Sequence, residues 1–155
     1  MKIKLLALFV VLLLLLVMVQ CRKEKDTELP KIELVSPLNC DSVYRGDFIH
    51  FEAKFTDNDQ LSKYAVDIKN NFDHKSYGPG DQGCDFGPDK TAFNPLVYIS
   101  VNDIPPGLKE YEVSLDIIVP ENSDTGDYLL IVYAEDKTGW QSFYSVSLKI
   151  VSDEP

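Results

Sequence analysis

Two histidines and a set of acids are the residues in this chain whose types suit chemistry. His50 stands in the alternating run Ile49-His50-Phe51-Glu52, and His74 follows Asp73 directly. Two imidazoles with a carboxylate make a nitrogen and oxygen donor set suited to Zn²⁺ or Cu²⁺, so His50, His74 and Asp73 form one candidate metal set. An exposed sheet histidine and an unrelated loop histidine are the alternative. Asp57 and Asp59, with Glu135 and Asp136, form an all-oxygen set suited to Ca²⁺, which takes six to eight oxygen ligands. These acids could equally be solvated turn formers, since Asp side chains bond their own backbone in turns. An EF-hand loop is excluded, because Leu61 occupies the fifth position counted from Asp57 and no Gly follows.

The other candidates are weaker. The Gly78 to Gly87 run is not a phosphate loop, since Gly87-Pro88-Asp89 separates it from Lys90-Thr91 and no helical pattern follows. No nucleophile, base and orienter stand in a recognisable arrangement, so the chain reads as non-catalytic. No cofactor is expected, with a divalent metal ion as the alternative.

Location is written at the start. Lys2 and Lys4 precede an apolar run from Leu5 to Val19, which is followed by Gln20 and Cys21. An apolar helix of about 15 residues spans roughly 22 Å, short of a ~30 Å hydrocarbon core, so the run reads as an export signal. A lone Cys behind that core, ahead of Arg22-Lys23-Glu24-Lys25-Asp26, resembles the lipobox of bacterial lipoproteins, in which the Cys is acylated; Gln20 departs from the small residue that the pattern favours. The resemblance implies a signal peptide over 1–20 and lipidation at Cys21; the charged run without apolar periodicity suggests a flexible tether that, with Cys21, covers 21–29, and the remaining length suits one domain over 30–152. The resemblance also implies a membrane partner through the lipid, at the outer membrane or cell surface, with the periplasmic face as an alternative.

The chain has 25 Asp+Glu against 15 Lys+Arg, and residues 1–20 hold two of those lysines and no acid. The mature surface therefore repels phosphate backbones, which disfavours nucleic acid as a partner.

The elements that must position the candidates are strands. Lys31 to Val35 alternates; Ile49, Phe51, Ala53 and Phe55 alternate with polar residues; Tyr64, Val66 and Ile68 are in phase. Residues 71–95 make a long excursion rich in Gly and Pro, of a length that is usually functional or cross-linked. Strands follow at Leu96 to Val101, Tyr111 to Val119, Tyr128 to Ala134 and Trp140 to Val151. About seven short strands without helical periodicity predict an all-β fold, an immunoglobulin-like antiparallel β-sandwich.

In that topology the turn after the second main strand and the turn between the last two share one end, beside the tether. They carry Asp57, Asp59, Glu135 and Asp136. Cys40 and Cys84 fall at the other end, where an exported chain can oxidise them to a disulfide; two free thiols are the alternative. Leu129, Ile131 and Tyr133 face away from the core, to serve as an apolar patch for a partner or to lie under the excursion. A protein or glycan partner is expected at the long loop and the adjoining sheet face.

Asp124-Thr125-Gly126-Asp127-Tyr128 resembles the tyrosine corner of immunoglobulin domains, which implies that the Tyr128 hydroxyl bonds back to the backbone upstream. Ile32 to Pro37, Gly46 to Ala53 and Asn70-Asn71-Phe72-Asp73-His74 together resemble an uncharacterised Bacteroidota lipoprotein family, domain of unknown function 4625. That resemblance spans residues 31–151 and implies a fold and a compartment, but no reaction.

Overall fold

The alternation read along Phe48–Thr56 builds the centre of the molecule. The computed structural model describes residues 26–75 and 84–152, so the segment expected as a signal peptide and Cys21 lie outside the described residues. Among the described residues there are eight strands and no helix: β1 (Lys31–Ser36), β2 (Asp41–Tyr44), β3 (Phe48–Thr56), β4 (Leu61–Asn70), β5 (Tyr98–Asp103), β6 (Glu110–Ile118), β7 (Gly126–Asp136) and β8 (Gln141–Val151). One sheet has the order β1-β3-β6 and the other β2-β8-β7-β4-β5. Ile49, Phe51, Ala53 and Phe55 of β3 face Tyr64, Val66 and Ile68 of β4, and Tyr128, Leu130, Val132 and Ala134 of β7, in one buried cluster. Phe55 stacks on Tyr64 across the two layers with ring centroids 5.2 Å apart. Full burial of side chains of this size stabilises by roughly 1.5–3 kcal/mol each.

Two details differ from the expected antiparallel seven. β2 is an extra four-residue strand and pairs parallel with β8, Asp41 opposite Leu148 and Tyr44 opposite Val151. The chain reaches it by crossing between sheets through residues 37–40, where Cys40 has a positive φ of 70°. So short an edge strand has no room for an alternation that sequence can reveal. The strand expected from Leu96 starts instead at Tyr98, because the Leu96 amide donates to the Tyr128 hydroxyl at 3.2 Å rather than to a ladder.

The far end of the sandwich is cross-linked. Cys40 and Cys84 form a disulfide with Cα atoms 5.3 Å apart, joining the β1–β2 crossing to the excursion. The Tyr128 hydroxyl donates to the Asp124 carbonyl at 2.7 Å, which is the expected corner. Phe72 packs edge-on against the Tyr128 ring. Burial of the Tyr128 phenol pushes its pKa up. Asp124 accepts the Phe93 amide at 2.6 Å and the Asn94 amide at 2.7 Å, and these bonds hold its carboxyl below the usual range.

Leu129 and Ile131 are buried although they lie outside the core cluster, whereas Tyr133 remains 38% exposed and touches Phe143. The excursion reaches this outer face at Asp127, where the Gly87 amide donates to its carboxylate at 2.8 Å.

Two stability outcomes follow from this end. Replacing Cys40 and Cys84 together by Ser reopens a loop of 44 residues and is expected to cost about 2–4 kcal/mol in urea unfolding. Tyr128→Phe leaves the Leu96 amide without its acceptor and is expected to cost about 1–3 kcal/mol in the same assay.

Candidate cation centre

Three carboxylates meet at the end of the sandwich opposite the disulfide. Asp57 directly follows β3, and its Oδ1 accepts the Asp59 amide at 2.9 Å and the Gln60 amide at 2.7 Å, which shapes the turn into β4. Asp136 closes β7, and its Oδ1 accepts the Thr138 amide at 2.7 Å, the Thr138 hydroxyl at 3.0 Å and the Trp140 amide at 2.9 Å, which shapes the turn into β8. Asp26 precedes β1, and its Oδ1 accepts the Glu28 amide at 3.1 Å. Each carboxylate thus commits one oxygen to its own turn.

The other oxygens have no such use. The Oδ2 atoms of Asp26, Asp57 and Asp136 are all buried without a hydrogen-bond partner. One oxygen from each residue lies within 4.8 Å of those of the other two. Asp136 is only 1% exposed and Asp26 only 7%. Among the described residues none of the three has a Lys or Arg partner. Buried carboxylates are costly unless paired or bound to a metal, and three together add mutual repulsion. A Ca²⁺ ion with oxygens at about 2.4 Å places any two of its ligands at most about 4.8 Å apart, so the spacing fits one shared ion. An all-oxygen donor set favours a hard cation such as Ca²⁺ over Zn²⁺ or Cu²⁺.

The structure brings Asp57 and Asp136 together as expected, and replaces Asp59 and Glu135 with Asp26. Glu135 neighbours Asp136 on a strand and points to the opposite face. There it pairs with Lys63 at 3.2 Å and accepts from Gln141; the Gln141 bond first, and then Lys63, lower its pKa. Asp59 contributes its amide to Asp57, and its carboxylate is not among the three that converge. Asp26 lies in the segment expected as a tether. Its one legible signal was the placement of that segment beside these two turns.

The histidine set does not assemble. His50 lies on the outer face of the three-stranded sheet, with Nδ1 2.8 Å from Oδ1 of its cross-strand partner Asp116. His74 lies at the disulfide end, with a φ of 51° and its ring stacked on Phe86. Its Nδ1 is 2.7 Å from Asp89 and its Nε2 3.1 Å from Asp127, so it ties the excursion to β7. Asp73 turns away to Lys75 at 2.6 Å, and this contact lowers its pKa. Each group has found a separate carboxylate or ammonium partner, so no shared donor set remains.

A family model described as Domain of unknown function (DUF4625) matches residues 19–151. No curated protein matches the chain. Among solved structures, a DUF4466 family protein from Parabacteroides merdae aligns with a TM-score of 0.54 at 14% identity, covering 81% of this chain and 46% of that one. OgpA from Akkermansia muciniphila aligns at 0.48 and 12%, covering 82% and 30%. Spo0M, a sporulation control protein from Bacillus subtilis, aligns at 0.41 and 7%, covering 83% and 51%. The chain spans less than half the length of the first of these, and that likeness bears on the fold alone.

Proposed function

The chain belongs to that family of unknown function, and from this premise we propose a non-catalytic, lipid-anchored β-sandwich module of the bacterial envelope that binds Ca²⁺ at its tether-side end. The observation that carries the reading is the set of three unpartnered Oδ2 atoms on Asp26, Asp57 and Asp136. Anchoring rests on the apolar run and Cys21 of the sequence, and export exposes the site to extracellular or periplasmic cation rather than to a cytosolic pool. The three acids would hold the ion through one oxygen each, and water or nearby carbonyls would complete the shell. The ion's work is structural: it neutralises a buried acidic cluster and binds three chain segments together.

The partner-binding part of the role falls to a different surface. Ile99 and Val101 of the edge strand β5, with Tyr133 and Phe143, leave apolar side chains exposed on the five-stranded sheet. That face supports a binding module rather than an inert spacer.

Calorimetric titration of the full chain with CaCl₂ is expected to show one site per chain. Free Ca²⁺ at about 100 times Kd is expected to raise the melting temperature by roughly 10 °C. Asp136→Asn keeps an Oδ1 for Thr138 and Trp140 but removes a negative oxygen, and is expected to weaken binding by about tenfold or more. Heat with Zn²⁺ or Cu²⁺ and none with Ca²⁺ would reverse the reading.

A further inference from the structure

We infer that the cation is a clasp on the tether, so that Ca²⁺ sets how far the sandwich stands from its lipid anchor and which end faces the membrane. The inference rests on the Ca²⁺ reading above and extends it to regulation. Asp57 and Asp136 belong to turns of the sandwich, one after β3 and one after β7, whereas Asp26 lies ahead of every strand. An ion shared by the three therefore joins the leading segment to the body of the fold. Within 26–30, the other Asp26 oxygen accepts the Glu28 amide, a bond local to the segment itself. Beyond the buried Pro30, the first residue held by a backbone ladder is Lys31, which begins β1 and pairs with Thr56.

The geometric effect is large. Asp26 is five residues from Cys21 and Lys31 is ten, which at full extension correspond to about 18 Å and about 35 Å. With the ion bound, the leash from a lipid on Cys21 ends at Asp26, and the β3–β4 and β7–β8 turns are held toward the bilayer. Without it, three like charges crowd one buried site and Asp26 is the member whose departure disturbs no strand. Release doubles the leash and frees the orientation. The edge strand β5 and the apolar face beside it are then presented over a wider range of heights and angles.

Limited trypsin digestion of the full chain in detergent tests this. The product to follow by mass spectrometry is the fragment that starts at Asp26, produced by cleavage after Lys25, against cleavage after Lys75 at the opposite end as the internal control. If cleavage after Lys25 proceeds through the released segment, free Ca²⁺ at about 100 times Kd slows it roughly a hundredfold relative to EGTA while the Lys75 site changes little. Asp26→Asn is expected to abolish that protection and to weaken Ca²⁺ binding about tenfold. Calorimetric Ca²⁺ binding with no protection at Lys25 in the unsubstituted chain would overturn the clasp and leave the cation reading intact. Absence of any Ca²⁺ heat would overturn the cation reading itself, and the clasp with it. The wild-type comparison in Ca²⁺ and EGTA stands by itself, whatever the fold of the variant.

Discussion

Because successive side chains on a strand point to opposite faces, β7 can send only one of its two adjacent acids toward the segment ahead of β1. Asp136 turns inward and Glu135 outward, and the same parity puts Tyr128, Leu130, Val132 and Ala134 in the core while Asp127, Leu129 and Ile131 face the other way. This single phase assignment on the most buried strand decides the contents of both ends. At one end it aims a carboxylate at Asp57 and Asp26. At the other it aims Asp127 at His74 and Gly87, so the excursion has something to hold.

The excursion shows how a long segment without strands can be ordered by a few side chains. Tyr128 donates a hydroxyl hydrogen bond to the Asp124 backbone carbonyl and accepts one from the Leu96 amide, so one residue fixes both the corner before β7 and the approach to β5. Asp124 takes two more backbone amides, Asp127 takes Gly87, and Lys90 lies over the Phe72 ring while donating to the Thr125 carbonyl. These hydrogen bonds satisfy backbone groups that no ladder serves, and the disulfide adds a covalent tie. The polar residues that looked like candidate chemistry in this region, His74 and Asp73 above all, are used in that work.

Much of the fold was legible because burial on one face writes a period of two into β3 and β6, while β7, covered on both faces, reads as an unbroken apolar run. The pairing of Cys40 with Cys84 was legible because topology places both at one end, and the meeting of Asp57 with Asp136 for the same reason. β2 was hidden, since four residues paired in parallel at an edge carry almost no pattern. Asp26 was hard to find because a charged run ahead of the first strand looks solvated, and nothing in its composition marks the one acid that turns inward. Asp59 and Glu135 show the converse limit: proximity to the right turn does not fix which way a carboxylate points.

The parallel pairing of β2 with β8 has a mechanical side. Tension applied between the two chain ends would pull β2 and β8 along their lengths in opposite directions, because the chain enters β2 at Asp41 opposite Leu148 and leaves β8 at Val151 opposite Tyr44. A ladder loaded that way must give up its bonds together rather than unzip one by one. Cys40 stands immediately ahead of it, so a pull from the N-terminal side that has stripped β1 from β3 meets the Cys40–Cys84 bond before it loads the β2–β8 ladder.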